Sequence, residues 1–203
     1  NKYKKNNHSY LFWEYARLKK ELAPKYFFYE NVASMPSKWI KVISKELGVL
    51  PMRINSALVS CQNRDRLYWT NIPGSVIPNN RGILLGSIIN DAVNGYGDRG
   101  RDIGLRNPDG TIKWVQMGSL RTDGKCNCLL TSRGGTGKIQ LKNGKIRNLT
   151  IEEGELLQTL PKGYTNIPWL TFTEKWKCIG NGWTIDVVSH LMKDLKKYLY
   201  SSK

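Results

Sequence analysis

Glycine is unevenly distributed along this chain, and this constrains the possible folds more than any other feature. Thirteen of the 19 glycines fall between Gly82 and Gly144, and the flanking segments are poor in glycine. Glycine favours turns and weakens helices and strands. The distribution therefore predicts three parts: residues 1–74, an irregular, loop-rich β module at residues 75–147, and residues 148–203.

Helix and strand patterns alternate in the first part. An apolar helical period covers Tyr10–Leu22, and an aromatic run of strand length follows at Lys25–Val32. A second amphipathic helix is predicted at Ser37–Leu47, with strands at Arg53–Ser60 and Asp65–Ile72. This order of elements indicates an α/β fold class.

The other two parts carry weaker patterns. Short strand-like pieces (IKWVQM, CNCLLTS, KIQL) lie among the glycines of the middle part. Thr150–Leu157 is predicted as a helix, because Thr150 and Glu153 have the spacing of a capping box. The last predicted helix is Thr184–Tyr200, with a lysine-rich outer face.

The charge of the chain points to a polyanionic partner. Thirty-two Lys and Arg against 16 Asp and Glu give a net charge of +16, which favours nucleic acid first and an anionic membrane surface second. No stretch approaches the roughly 18–20 apolar residues that a membrane span needs, and no signal peptide opens the chain. We therefore expect a soluble protein of the cytoplasm. The chain begins at Asn1 without a methionine, and this leaves open whether an N-terminal part is missing.

The cysteines do not suggest a metal site. They form no CxxC pair, and only two histidines could supplement them. The residues concerned are Cys61, Cys126, Cys128, Cys178, His8 and His190.

Charged residues at strand ends are the candidate functional groups. Glu30 ends the aromatic strand, and the carboxyl ends of strands are where open α/β sheets bind ligands. Arg64 and Arg66 precede the strand LYWTNI and are expected to face the same side, where guanidinium groups could hold an oxygen-bearing base or a phosphate. An exposed strand terminus and a salt-bridged strand edge are the alternatives.

Several segments, in order, resemble the later motifs of one enzyme family. They are LFWEYARL, Glu-Asn-Val after the aromatic strand, Gln-x-Arg-x-Arg before another strand, RNLTIEEGELLQTLP and IGNGWTIDVVSHL. In this order they resemble the C5-cytosine DNA methyltransferases, in the style of phage, bacterial and de novo-type relatives. The resemblance implies the second half of a Rossmann-like, S-adenosylmethionine-dependent methyltransferase domain. Residues 75–147 would be its target-recognition module, and residues 148–203 would return to the catalytic domain.

The resemblance also implies a mechanism and its residues. In this family a cysteine thiolate adds to carbon 6 of a flipped cytosine, and the enamine so formed attacks the methyl group of S-adenosylmethionine. The carboxyl group that bonds N3 and the exocyclic amine would be Glu30. The arginine at O2 would be Arg66, with Arg64 beside it.

Cofactor and DNA contacts follow from the same resemblance. Leu11 and Phe12 would lie near the adenine of the cofactor, and Asn181, Gly182 and Trp183 would complete its pocket. Double-stranded DNA would lie against the basic middle part, although a solvated charged face is the alternative. The candidate DNA contacts are Arg121, Thr131, Ser132, Arg133, Lys138, Lys142 and Lys145.

One departure from the family is serious. The nucleophile of the family sits in a Pro-Cys dipeptide, and no cysteine of this chain follows proline. The glycine-rich strand-turn that opens the cofactor site is also absent. We therefore expect an N-terminal segment or a partner subunit to supply the cysteine, and the chain alone to be inactive. The alternative is a non-catalytic DNA-binding protein derived from such an enzyme, with a regulatory or decoy role.

Gly95–Gly100 spells GxGxxG but is not expected to bind a dinucleotide. It follows the helix-like segment GSIINDAV and lacks the apolar strand that such a fingerprint requires.

Overall fold

The computed structural model describes residues 9–97, 102–116, 119–131 and 137–200. The helices are α1 (Ser9–Leu22), α2 (Ser37–Leu47), α3 (Ile151–Leu157), α4 (Phe172–Asn181), α5 (Ile185–Met192) and α6 (Leu195–Tyr200). The strands are β1 (Phe28–Val32), β2 (Met52–Asn55), β3 (Asp65–Thr70), β4 (Ala92–Gly97), β5 (Asp102–Arg106), β6 (Ile112–Gln116), β7 (Ser119–Leu120), β8 (Lys138–Leu141) and β9 (Ile146–Asn148). None of these helices has the length and apolar character needed to cross a membrane.

The chain divides into two compact units. Unit 1 comprises residues 1–54, 65–77 and 191–203, and unit 2 comprises residues 55–64 and 78–190. The three-part division at residues 74 and 147 stays a prediction.

Unit 1 is built on a three-stranded sheet in the order β1-β3-β2. β1 and β3 are antiparallel, with Glu30 opposite Tyr68 and Val32 opposite Arg66. Side chains alternate between the two faces of a strand, so the neighbouring Leu67 and Trp69 point to the other face. There they pack in a buried apolar core with residues of α1 and α2, such as Phe12 and Ile43. The sheet therefore has one face covered by two helices and a second face that carries Glu30 and Arg66.

The two helices of this layer form for local reasons. Phe12 and Ala16 of α1 are buried and lie four residues apart, as the core-facing stripe of a helix requires. α2 buries Ile43 and Leu47 and ends at Gly48, whose φ of 77° is left-handed. Trp69 of β3 donates its indole N–H to Oγ of Ser44 at 2.9 Å, which anchors α2 on the sheet.

Unit 2 contains a four-stranded sheet in the order β7-β4-β8-β9 and a separate hairpin of β5 and β6. Its buried core joins Ile139 of β8 to Leu157 of α3 and to Trp176 and Ile179 of α4. The predicted start of α3 is confirmed, since Thr150 and Glu153 form both bonds of the capping box.

Three predicted elements differ in the structure. The strand predicted to reach Ser60 ends at Asn55, because the Asn55 side chain caps a 3-10 turn at Ser56–Leu58. The described part of the segment CNCLLTS, residues 126–131, forms no strand and contributes an isolated bridge between Cys126 and Gln62. The single helix predicted at the end of the chain is broken into α5 and α6.

The GxGxxG segment begins inside a strand. Gly95 lies in β4, opposite Ile139 of β8. A Cβ on Gly95 would come within 2.8 Å of the Cα of Cys126, so glycine here permits two backbones to pack closely. Residues 98–100 lie outside the described part of the chain.

Candidate active site

Glu30 and Arg66 form an ion pair on the face of the unit 1 sheet opposite to the core that α1 and α2 cover. Nε of Arg66 lies 2.9 Å from Oε1 of Glu30, and the two side chains are 13% and 18% exposed. The register explains the contact, because Glu30 and Arg66 are diagonal neighbours across β1 and β3. The site thus presents a carboxylate and a guanidinium side by side, largely shielded from water.

A pocket of about 340 Å³ opens on the other face of β1. It lies between α1, the end of β1 and α2, and most of its lining is apolar. Four aromatic rings, an amide and a hydroxyl are among its walls: Phe12, Trp13, Tyr29, Trp39, Asn31 and Ser34. These surroundings fit a planar heteroaromatic ring with a polar edge.

Arg64 is placed differently from Arg66. β3 begins at Asp65, so strand alternation does not extend to Arg64, and the expectation that both arginines face one side stays a prediction. Arg64 is 4% exposed, and its guanidinium donates to the carbonyl oxygens of Leu129, Gly180 and Gly182 at 3.1, 3.2 and 2.9 Å. These are the contacts of a residue that holds backbone segments in place. A direct role for Arg64 at the base stays a prediction.

Two buried glutamines lie in the same region of unit 2. The amide of Gln62 donates to Oε1 of Gln158 at 3.1 Å, and the amide of Gln158 donates to the carbonyl oxygen of Ile179 at 2.7 Å. Thr184 also donates to Oε1 of Gln158, at 2.9 Å. Buried amides are costly unless bonded, so this network fixes the backbone that it contacts.

The five predicted cofactor residues fall into two groups. Leu11 and Phe12 lie in α1 of unit 1, where Leu11 is 69% exposed and Phe12 lines the aromatic pocket. Asn181 is the last residue of α4, Gly182 is its C-cap, and Trp183 is 44% exposed. These three belong to unit 2. Their role at a cofactor stays a prediction.

Three of the predicted DNA contacts lie on the β8–β9 hairpin of unit 2. Lys142 and Lys145 are exposed in its turn, where Leu141 N–H bonds the carbonyl oxygen of Lys145, and Lys138 lies in β8. Nζ of Lys142 lies 3.6 Å from Oδ1 of Asp91, and both side chains are largely exposed. The hairpin can therefore present lysines to a polyanion.

The remaining candidates for DNA contact are separate from that hairpin. Arg121 is paired with Asp123, which raises the pKa of the guanidinium, and Thr131 is exposed. Ser132 and Arg133 lie outside the described residues.

The four cysteines all belong to unit 2. Burial raises the pKa of the Cys61 thiol to about 12, and burial also raises the pKa of Cys126. Cys178 is exposed on α4, and Cys128 lies within 3.4 Å of a guanidinium nitrogen of Arg64. Among the described residues, no group of three or more His, Cys, Asp and Glu side chains could hold a metal ion.

Comparison with known proteins decides the family. Residues 1–72, which contain Glu30, Arg64 and Arg66, match the family model of the C-5 cytosine-specific DNA methylases. This stretch belongs to the C-5 cytosine-specific DNA methylases. The family predicted from the sequence motifs is confirmed.

Solved structures extend the methylase likeness to most of the chain. A methyltransferase of Entamoeba histolytica, EhMeth, matches with a TM-score of 0.58 at 17% identity, covering 91% of this chain and 69% of its own. A mutant of DNMT2 from Spodoptera frugiperda matches with a TM-score of 0.57 at 16% identity, covering 94% of this chain and 71% of its own. At this identity the likeness concerns the fold. The mixed α/β class with small antiparallel sheets is confirmed and fits part of a Rossmann-like methyltransferase domain.

Sequence reasoning missed some residues that lie near the candidate groups within each unit. Gln62 and Gln158 stand inside the motifs that indicated the family, but their bonding to each other was not foreseen. Trp13 and Trp39 line the pocket and were taken only as helical residues. The available clue was their aromatic character in the helices on either side of the strand that contains Glu30.

Proposed function

We propose that this chain is part of a DNA (cytosine-5)-methyltransferase acting on a flipped cytosine in double-stranded DNA, in a cytoplasmic setting. The observation that carries the proposal is the ion pair of Glu30 and Arg66, in a stretch that matches the methylase family. A cytosine ring offers N3 and its exocyclic amine on one edge and O2 beside them. A carboxyl group and a guanidinium held side by side are complementary to that edge.

The two side chains would act on charge that develops in the base. A nucleophile that adds to carbon 6 pushes electron density onto N3 and O2 of the ring. Glu30 would bond N3 and accept from the amine, and Arg66 would donate to O2. The low exposure of both groups strengthens such bonds, because little water screens them.

The cofactor we propose is S-adenosylmethionine, which supplies an electrophilic methyl group when bound. The aromatic pocket beside Phe12 supports this assignment, since it can take a planar ring such as adenine and offers the amide of Asn31 as a polar partner. Leu11 would add apolar contact at the start of α1. Asn181, Gly182 and Trp183 would supply the second part of the binding site.

The nucleophile, we propose, comes from an N-terminal segment or a partner subunit. The thiolate is the reactive form of cysteine, and burial raises the pKa of both Cys61 and Cys126. Cys61, Cys126, Cys128 and Cys178 follow Ser, Lys, Asn and Lys, whereas the family nucleophile follows proline. On this proposal the chain supplies base stabilisation, and the cysteine is supplied from elsewhere.

DNA would be held mainly through its phosphates. The net charge of +16 supports this, as do the exposed Lys142 and Lys145 of the β8–β9 turn. Lys138, Arg121 and Thr131 would contact the duplex from the same unit.

The decisive experiment measures transfer of labelled methyl groups from S-adenosylmethionine to DNA. The chain is assayed together with the segment or subunit that carries the cysteine, first as wild type and then as Glu30→Gln. We expect the variant to lose at least about 100-fold in rate, because the amide cannot supply the same proton at N3. Glu21→Gln is the matched control, since Glu21 is 54% exposed on α1 and pairs with Arg17 on the surface.

The outcome separates the enzyme from the alternative of a non-catalytic DNA-binding protein. Equal activity of the wild type and Glu30→Gln would show that the role given to Glu30 is wrong. Duplex binding without any methyl transfer, in the presence of the cysteine-bearing part, would favour the binding protein.

A further inference from the structure

Arg64 holds together two segments of unit 2 to which the proposed function gives different tasks. Nη1 of Arg64 bonds the carbonyl oxygen of Leu129, just before the candidate DNA contact Thr131. Nη2 bonds the carbonyl oxygens of Gly180 and Gly182, on either side of the candidate cofactor residue Asn181. The two Nη groups of the planar fork reach both segments at once, whereas a lysine would have to reach both from a single nitrogen on a flexible stem.

The same two segments touch directly through their backbones. A Cβ on Gly180 would lie 2.2 Å from the carbonyl oxygen of Leu130 and 2.8 Å from the amide nitrogen of Thr131. Real side chains do not approach so closely, so only glycine permits this packing. A displacement of residues 130–131 towards Gly180 must therefore move the end of α4 as well.

A second chain of hydrogen bonds joins the segments through the two buried glutamines. Oε1 of Gln62 accepts from the amide N–H of Leu129 at 2.9 Å, and its Nε2 donates to Gln158. Gln158 in turn donates to the carbonyl oxygens of Ile179 and Gly182, at 2.7 and 3.2 Å. Both glutamines are fully buried, so water does not compete for these hydrogen bonds.

We propose that Arg64, Gln62 and Gln158 form a positioning clamp that couples duplex binding to the conformation of Asn181–Trp183. DNA that orders the segment at Thr131 biases the segment at Asn181, and a cofactor bound there biases DNA binding by the same factor. The inference rests on the proposed function, which assigns DNA to the first segment and the cofactor to the second. It makes Arg64 a positioning residue, acting through backbone carbonyls.

Trp183 provides a probe of this coupling in the chain itself. The emission of the Trp183→Phe variant is subtracted from that of the wild-type chain, and the remainder is the signal of Trp183. This difference is measured with and without a short DNA duplex. We expect the duplex to change this difference signal, and Arg64→Lys to lose the change while still binding the duplex. Arg53→Lys is the matched control, because Arg53 pairs with Asp65 on the surface and is 70% exposed; it should keep the full change.

A measurement on the wild type covers the case in which Arg64→Lys folds poorly. Hydrogen–deuterium exchange is followed with and without the duplex. Peptides that cover residues 179–184 should exchange more slowly when the duplex is bound, together with those at residues 129–131.

The outcomes distinguish the clamp from the function on which it rests. If the duplex binds while the Trp183 signal and the exchange at residues 179–184 stay unchanged, the coupling is overturned and the DNA-binding function stands. If Arg64→Lys keeps the full Trp183 response, the assignment of the clamp to Arg64 is overturned. If no duplex binds at all, the proposed function fails and the coupling falls with it.

Discussion

The carboxylate of Glu155 in α3 holds the backbone and side chain of Thr165. Oε1 accepts from the Thr165 amide at 2.6 Å and from its hydroxyl at 2.5 Å, and Oε2 accepts from the amide of Gly163 at 2.6 Å. The side chain is fully buried. One acidic residue thus fixes the irregular loop that leads from α3 towards α4.

Glu155→Gln should therefore destabilise unit 2 although it keeps the size of the side chain. The new amide N–H₂ would face amide donors, and the expected loss is about 2–4 kcal/mol in the free energy of unfolding. Urea denaturation followed by circular dichroism measures it. Glu152→Gln, an exposed change in the same helix, is the control and should cost less than about 0.5 kcal/mol. A loss no larger than that of the control would contradict the role given to this carboxylate.

Gly180→Ala should be more damaging than its size suggests. The added methyl group has no room against the carbonyl oxygen of Leu130, and the backbone there must shift. We expect a loss of about 2–4 kcal/mol in the free energy of unfolding. Cys178→Ala, at an exposed position two residues earlier in α4, should be close to neutral. Equal melting temperatures for the two variants would show that the packing at Gly180 is looser than described.

The thiols should differ widely in reactivity. Burial raises the pKa of Cys61 from about 9 to about 12, so at pH 8 its thiolate fraction is about 1000-fold below that of an ordinary cysteine. Up to pH near 9 the thiol is neutral in both the folded and the unfolded state, so its ionisation does not change the free energy of unfolding. At higher pH the thiol ionises more readily in the unfolded state, so the free energy of unfolding falls. Iodoacetamide labelling followed by mass spectrometry should modify Cys178 first, with Cys61 and Cys126 modified only after denaturation. Fast labelling of Cys61 in the folded protein would refute this order.

The lysines of the β8–β9 turn should contribute to the salt dependence of duplex binding. If Lys142 and Lys145 each neutralise a phosphate, changing both to alanine lowers the slope of log K against log salt by about 2. Fluorescence anisotropy at several salt concentrations gives the slope. The matched control changes Lys20 and Lys45, two exposed lysines of unit 1, to alanine. If both double variants reduce the slope equally, the turn lysines contribute no more to DNA binding than other exposed lysines do.

The elements that sequence predicted well are those with local causes. Helix α2 runs over Ser37–Leu47 as its apolar period and Gly48 indicated, and the capping box of Thr150 marks the start of α3. Helix α4 was missed, although Thr171 and Glu174 form the same kind of capping box at its start. The apolar stripe of α4 is short and follows a loop with exposed aromatic residues, so the helical period was not recognised in the sequence.

The candidate site was predictable only in part, because its contacts depend on register and on distant backbone. Motif spacing singled out Glu30 and Arg66, but their pairing needs the offset between β1 and β3, which no local pattern contains. The partners of Arg64 lie more than 60 residues away in sequence. Strand alternation alone therefore predicted that Arg64 lies beside Arg66. In the structure β3 begins at Asp65, and the Arg64 guanidinium bonds backbone carbonyl oxygens of unit 2.

The short connection between β2 and β3 belongs to unit 2, although β3 and most of β2 belong to unit 1. Neither unit is thus a continuous piece of chain. Removing residues 78–190 would strip Gln62 and Arg64 of the partners that satisfy them, so unit 1 prepared alone needs that connection replaced by a plain turn. Likewise, any recombination that exchanges residues 78–190 between relatives has to carry residues 55–64 along with them.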